Sequence, residues 1–246
     1  MVNFQIEAWA AIAPGLESHI DWLKWLQHPE KTDEPLAKVS LAQFPAMLRR
    51  RFSALGKCAM GAALPIIEAD EAIPSVFASR YGDMDLTLTL LESIARKEPM
   101  SPTSFSLAVH NAVSGLFTIA RKDNSEVTSI AAMNGLLLQT LFEAIGQLQS
   151  TSRVLCVVYD LPLPDFFQHY HSGVSFPYAI AFVVSNTNGD SYSLDQCVDT
   201  VAGVESSQDS LINLDTVNFL RLLNGLSTEI KITANGLSWQ ITRDVV

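Results

Sequence analysis

Very little in this chain can do chemistry alone. Only 3 of its 246 residues are cysteine. Cys58, Cys156 and Cys197 stand far apart, at no metal or redox spacing. An odd number of cysteines without a signal peptide suits a reducing cytoplasm, and that is the expected location. Charge is sparse too, at 17% of residues. Basic residues are the scarcer kind, 16 Lys+Arg against 26 Asp+Glu, which gives a net charge of −10 and a pI near 4.9. So acidic a chain repels phosphate backbones, which argues against nucleic-acid binding. No apolar run is long enough to span a bilayer, and Met1–Glu7 lacks the basic start and apolar core of a signal peptide. No repeat, low-complexity tract or linker interrupts the sequence, so one domain over residues 1–246 is the economical count.

What the chain does have is apolar content, at 48%. That exceeds what a small monomer needs and points to a large buried subunit interface. The apolar content is densest in Val127–Leu148, which reads as a short strand, a turn of small residues and a helix apolar on nearly every side. The only charge in it is Glu143. A helix with no polar face must be buried. A strand–turn–helix unit can present a reactive group at the turn, beside the positive end of the helix. Here the turn is Ala131-Ala132-Met133-Asn134-Gly135, with no good nucleophile.

Strands are expected at Val2–Ala13, Ser75–Ser79, Arg153–Tyr159 and Tyr178–Val184, the latter two as buried apolar runs. Asn235-Gly236 predicts the turn of a hairpin over Ile230–Ile241. Helical spacing predicts helices over Leu16–Leu26, Pro45–Ala63, Leu86–Arg96, Phe105–Ala120 and Thr216–Leu223. Gly115 within the fourth of these suggests close backbone packing. Ser191–Asp209 reads as irregular. Strands alternating with helices give an α/β class. Arg49-Arg50-Arg51 is a basic cluster in an acidic protein. Such a run is most simply a solvated helix face, and the functional alternative is a dock for an acidic partner.

Four stretches then carry a resemblance. Arg50-Arg51-Phe52-Ser53-Ala54-Leu55 is the first and Ser79-Arg80-Tyr81-Gly82 the second. The third runs from Pro102 through Phe105 to His110-Asn111 and Gly115, and the fourth is the strand–turn–helix. In this order they resemble the N-terminal half of β-ketoacyl synthases over roughly residues 1–190. They are most similar to the short chain-length factors of aryl-polyene biosynthesis clusters. The resemblance implies a thiolase-like fold, a mixed sheet flanked by helices, with a short divergent C-terminal tail. In the family a cysteine at the turn is acylated, and two histidines in the second half support decarboxylative condensation. This sequence has Ala132-Met133-Asn134 at that turn, a degenerate nucleophile elbow, and does not reach the histidine-bearing half.

The remaining candidates are weak by their own chemistry. Cys58 and Cys156 lie in apolar patterns and read as core, with the Cys156 thiol pKa raised by burial. Cys197 sits between Asp195 and Asp199, which disfavour a thiolate. Thr128 and Ser129 have no recognisable base nearby. Asp165, His169 and His171 offer two metal ligands from an extended loop and no third, so a solvated loop is the reading adopted.

The expected function is therefore a non-catalytic chain-length factor that needs no cofactor and no metal. It heterodimerises with a catalytic ketosynthase and meets an acyl carrier protein transiently. By the resemblance, Val127, Thr128, Ser129 and Ile130 pair with the partner. Thr103–His110, leading to Asn111, borders its acyl tunnel, with Ser104, Leu107 and His110 on nearly one helix face. Two alternatives stay open. One is a malonyl-carrier decarboxylase in which Asn134 donates a hydrogen bond to the thioester carbonyl. The other is an acidic binding module on the same scaffold.

Overall fold

The computed structural model describes residues 1–30, 34–170, 176–197 and 214–244, with no side-chain description for Gln168. Eight strands form one sheet in the order β3-β2-β4-β5-β1-β6-β8-β7. The strands are β1 Val2–Ile12, β2 Ser75–Ala78, β3 Val127–Ile130, β4 Arg153–Asp160, β5 Tyr178–Ser185, β6 Asp190–Cys197, β7 Glu229–Ala234 and β8 Leu237–Arg243. β2 runs parallel to β3 and β4, and the remaining pairings are antiparallel, so the sheet is mixed.

The central strands are apolar on both faces because both faces are covered. Along β4, Val154, Cys156 and Val158 enter one core, while Leu155, Val157 and Tyr159 enter the other. β5 divides in the same way, Ile180, Phe182 and Val184 against Ala179, Ala181 and Val183. The first core is covered by helices α1 His19–Gln27, α7 Leu136–Gln147 and α8 Asp215–Leu223. The second lies under α3 Ala54–Ala63 and α6 Ala112–Arg121. The α/β class and the thiolase-like arrangement follow.

Two expected helices are each two. Pro45–Ala63 divides into α2 Ala46–Arg49 and α3, because the Ser53 hydroxyl accepts from the Gly56 amide and restarts the helix. Phe105–Ala120 divides into α5 Pro102–Leu107 and α6, with the chain breaking its helical path over Ala108–Asn111. Gly115 is not a close-packing point, since a Cβ there would meet nothing within 4 Å. The first half of the stretch expected to be irregular is strand β6, with Tyr192 and Leu194 turned into the core; residues 198–209 lie outside the described residues. Leu86–Arg96 is helical as expected, as α4 Met84–Ala95, but none of its residues is buried.

β5 and β6 both pair with β1, so the chain crosses β1 between them. It crosses at Gly189, where φ is +110° and an added Cβ would lie 2.3 Å from the Ile6 carbonyl oxygen. Only glycine fits there. β1 has a register shift between Ile6 and Ala8, at the level of this crossing.

Candidate functional site: the elbow and the sheet edge

β3 ends the sheet. It hydrogen-bonds to β2, and its other edge has no strand among the described residues. From it the chain turns through Ala131–Gly135 into α7, as the sequence implies. Gly135 makes the turn with φ +63°. A Cβ there would stand 2.6 Å from the Ala234 Cβ, so the end of β7 closes directly on the elbow. Trp239 of β8 meets Phe142 of α7 edge to face at 4.8 Å between ring centroids. The far end of the sheet thus curls back over α7, and this is what buries a helix with so little polar surface.

The elbow presents no nucleophile. Ala131, Met133 and Asn134 are exposed, Ala132 is half-buried, and α7 has no side-chain cap at its N-terminus. The thiols lie elsewhere. Cys58 is buried, and burial, with a smaller contribution from Asp160, pushes it up to about 12. Cys156 is buried and raised well above the ordinary thiol value by desolvation alone. Cys197 is partly exposed at the end of β6, and Asp199 lies outside the described residues. Ser129 exchanges a 2.8 Å hydrogen bond with the Ser114 hydroxyl of α6, a partner that is not a base. His169 is exposed and packs its ring on Tyr170, while His171 lies outside the described residues. Among the described residues no group of three His, Cys, Asp or Glu side chains could hold a metal ion.

Ser104, Leu107 and His110 do not share a helix face. Ser104 and Leu107 are three apart on α5, but the helix ends before His110. His110 lies in the break, where its Nε2 sits 2.9 Å from the Ser79 carbonyl oxygen and its ring packs beside Gly82. Asn111 serves as the N-cap residue of α6, though its side chain makes no capping bond.

The Ser79–Gly82 turn is held by a group that the sequence did not single out. Asp160, buried at the end of β4, accepts from the Ser79 hydroxyl at 2.8 Å, the Arg80 amide at 2.9 Å and the Tyr178 hydroxyl at 3.3 Å. Burial raises its pKa, and the hydrogen bond from Ser79 works against that. Its sequence signal is an aspartate directly after the apolar run Val154–Tyr159. Another polar cluster lies at the sheet edge. Thr128 of β3 donates to Glu143 Oε1 at 2.8 Å, and the Gln147 amide donates to the same oxygen at 3.0 Å and to Thr128 Oγ1 at 3.2 Å.

The surface beside this edge is apolar. α4 packs on α5, α5 on α6, and α6 on β3. Leu91, Ile94, Met100, Phe105, Val109, Ile119, Val127 and Met133 are exposed along that path. Lys38, Arg49, Arg50 and Lys57 line a separate open groove of about 430 Å³.

Residues 22–240 match the family of the β-ketoacyl synthase N-terminal domain. The chain belongs to that family. The match runs past residue 190, where the resemblance carried by the motifs stops, to residue 240. A solved complex of the ketosynthase ApeO with its chain length factor ApeC from Xenorhabdus doucetiae is 25% identical, with a TM-score of 0.83; 99% of this chain and 100% of that chain are covered. The ishigamide ketosynthase/chain length factor shares the fold at 15% identity and a TM-score of 0.64, over 81% of this chain and 68% of that one. A β-ketoacyl synthase from Burkholderia phymatum STM815 does so at 8% and 0.59, over 93% and 71%. Comparison with curated proteins gave no match. The ketosynthase-like chain is thus similar to a structure in which a ketosynthase is bound to its chain length factor. No described helix is long and apolar enough to cross a membrane.

Proposed function

We propose that this chain is the chain-length-factor subunit of a ketosynthase heterodimer that builds aryl polyenes. It is one domain and performs no condensation itself. The partner supplies the acylated cysteine and both histidines, and an acyl carrier protein delivers the growing chain. The observation that carries this reading is the elbow. It retains the turn, the left-handed Gly135 and the buried helix, but offers Ala132, Met133 and Asn134 where a nucleophile would be. Likeness to a ketosynthase–chain length factor complex and an apolar surface running up to an open sheet edge support it. On this reading Val127–Ile130 meets the partner, and Ser104 and Leu107 border its acyl tunnel with His110 and Asn111 behind them.

Co-expression with the ketosynthase should give a 1:1 complex that survives gel filtration at micromolar concentration, and separate elution defeats the proposal. With acyl-carrier substrate, the intact mass of this chain should stay unchanged; an acyl adduct lost on replacing Cys58, Cys156 or Cys197 by alanine overturns the non-catalytic role. Ser104→Phe should shorten the polyene while the complex still assembles, as mass spectrometry of the product reads directly.

The second reading is decarboxylation of a malonyl-carrier thioester. Asn134 favours it, being exposed beside an uncapped helix N-terminus where a donor can reach a carbonyl oxygen. Release of carbon dioxide by the isolated chain, abolished by Asn134→Ala, would establish it over the first.

A further inference from the structure

The polar cluster at the β3 edge is incomplete in a specific way. Both donors that reach Glu143, from Thr128 and Gln147, go to Oε1, and Oε2 has no protein partner among the described residues. Gln147 is 7% exposed, and its Oε1 is buried without a hydrogen-bond partner. A buried acceptor left unpaired costs roughly 1–3 kcal/mol, so native structures seldom keep one. Glu143 is half-buried, so its carboxylate can be reached from outside, while the unpaired Gln147 oxygen lies behind it in the same hydrogen-bonded cluster, next to a strand that is itself unpaired on its outer edge. Glu143 is also the lone charge of α7, a helix otherwise committed to the core.

We propose that Thr128, Glu143 and Gln147 form a notch that receives a cationic hydrogen-bond donor, an arginine or lysine of the partner ketosynthase, and that the notch selects this partner over a second copy of the same chain. The inference rests on the reading that the β3 edge is the subunit interface. An arginine or lysine carries several N–H donors and no acceptor, which is the complement of what the notch offers. A second copy offers the opposite. Antiparallel pairing of two β3 edges about a twofold axis perpendicular to the sheet keeps both α7 helices on one face. Two notches then lie across the axis from each other, two carboxylates and two orphan amide oxygens without a donor between them. Like charges set together at an interface reject the wrong partner.

The test uses the full chain, the ketosynthase and the variant Glu143→Gln, whose amide oxygen still accepts from Thr128 and Gln147. Heterodimer affinity is measured at low and high salt, and self-association of each chain alone by light scattering. The wild-type complex should weaken with salt. Glu143→Gln should bind about tenfold or more weakly, with a flatter salt dependence, and should self-associate more than wild type. Carboxyl footprinting of the wild-type proteins needs no variant: Glu143 should be labelled in the free chain and protected in the complex. Unchanged affinity and salt dependence in a folded Glu143→Gln chain, or equal labelling of Glu143 free and bound, overturns the notch while leaving the heterodimer intact. Failure of the wild-type chain to pair at all overturns the reading beneath it instead.

Discussion

The two ends of the sheet are finished in opposite ways. β7 closes one end with its inward residues Ile230, Ile232 and Ala234 buried and its outward residues Glu229, Lys231 and Thr233 exposed. Charge on an outer strand deters another strand from adding to it. It also curls back so that Ala234 and Trp239 rest on the elbow and on α7. β3 has none of these protections. Its residues Val127, Thr128, Ser129 and Ile130 carry no charge, and the surface beside it is apolar. A strand so left would be an aggregation hazard in a protein meant to remain alone. On the proposed reading, one end is built for solvent and the other for a partner.

The comparison can be broken first at the edges themselves. Val127→Lys should weaken the heterodimer by roughly a hundredfold, because a buried cation at a strand pairing is costly. Thr233→Lys on β7 should leave the affinity as it is. Equal effects at both edges, measured by calorimetric titration, would remove the distinction.

The contact between the two ends gives the next effect. Gly135→Ala forces a side chain into a left-handed residue and against Ala234, and should cost about 2–4 kcal/mol in denaturant unfolding. Gly115→Ala, in open space within α6, should instead stabilise by about 1 kcal/mol. A harmless Gly135→Ala would mean that the hairpin does not clamp the elbow.

The smallest effect sharpens the β7 side, where α8 lies beneath the hairpin. Burial pushes Asp215, in the first turn of α8, up to about 6, against a nearby Arg80 that lowers it. The folded chain therefore holds a proton that the unfolded chain has already lost between the ordinary carboxylate range and pH 6. Stability is greater below that window, falls as pH rises through it, and changes no further from this group above pH 6. Asp160 is raised in the same direction. Asp215→Asn should flatten the fall, seen as urea midpoints at pH 4.5 and pH 7 that lie closer together than in wild type.

Much of this architecture was legible in the sequence. β4 and β5 stood out because strands covered on both faces carry unbroken apolar runs, here Val154–Tyr159 and Tyr178–Val184, and Asn235-Gly236 marked the last hairpin because both residues take positive φ. The helix breaks were harder to see. Phe52 and Leu55 continue a helical spacing across the gap between α2 and α3, and only the cap at Ser53 betrays the restart. β6 was hidden by its polar half, although Tyr192 and Leu194 alternate as a half-buried strand requires. At the site, the elbow was readable because it is local. The Asp160 cluster was not, since Ser79 and Asp160 are 81 positions apart. The Thr128–Glu143–Gln147 notch escaped for a related reason: a lone glutamate in an apolar helix has meaning only beside the strand it reaches.

The position of β1 bears on how the chain is made. Its two neighbours, β5 and β6, begin at Tyr178 and Asp190. At a synthesis rate of about 5–20 residues per second, β1 leaves the ribosome roughly 10–35 s before either neighbour exists. During that interval Phe4, Ile6, Ala11 and Ile12, all buried in the finished protein, have no sheet to join. The nascent chain is therefore a natural client for a chaperone that holds extended apolar segments, and its yield in the cell depends on translation speed as well as on final stability.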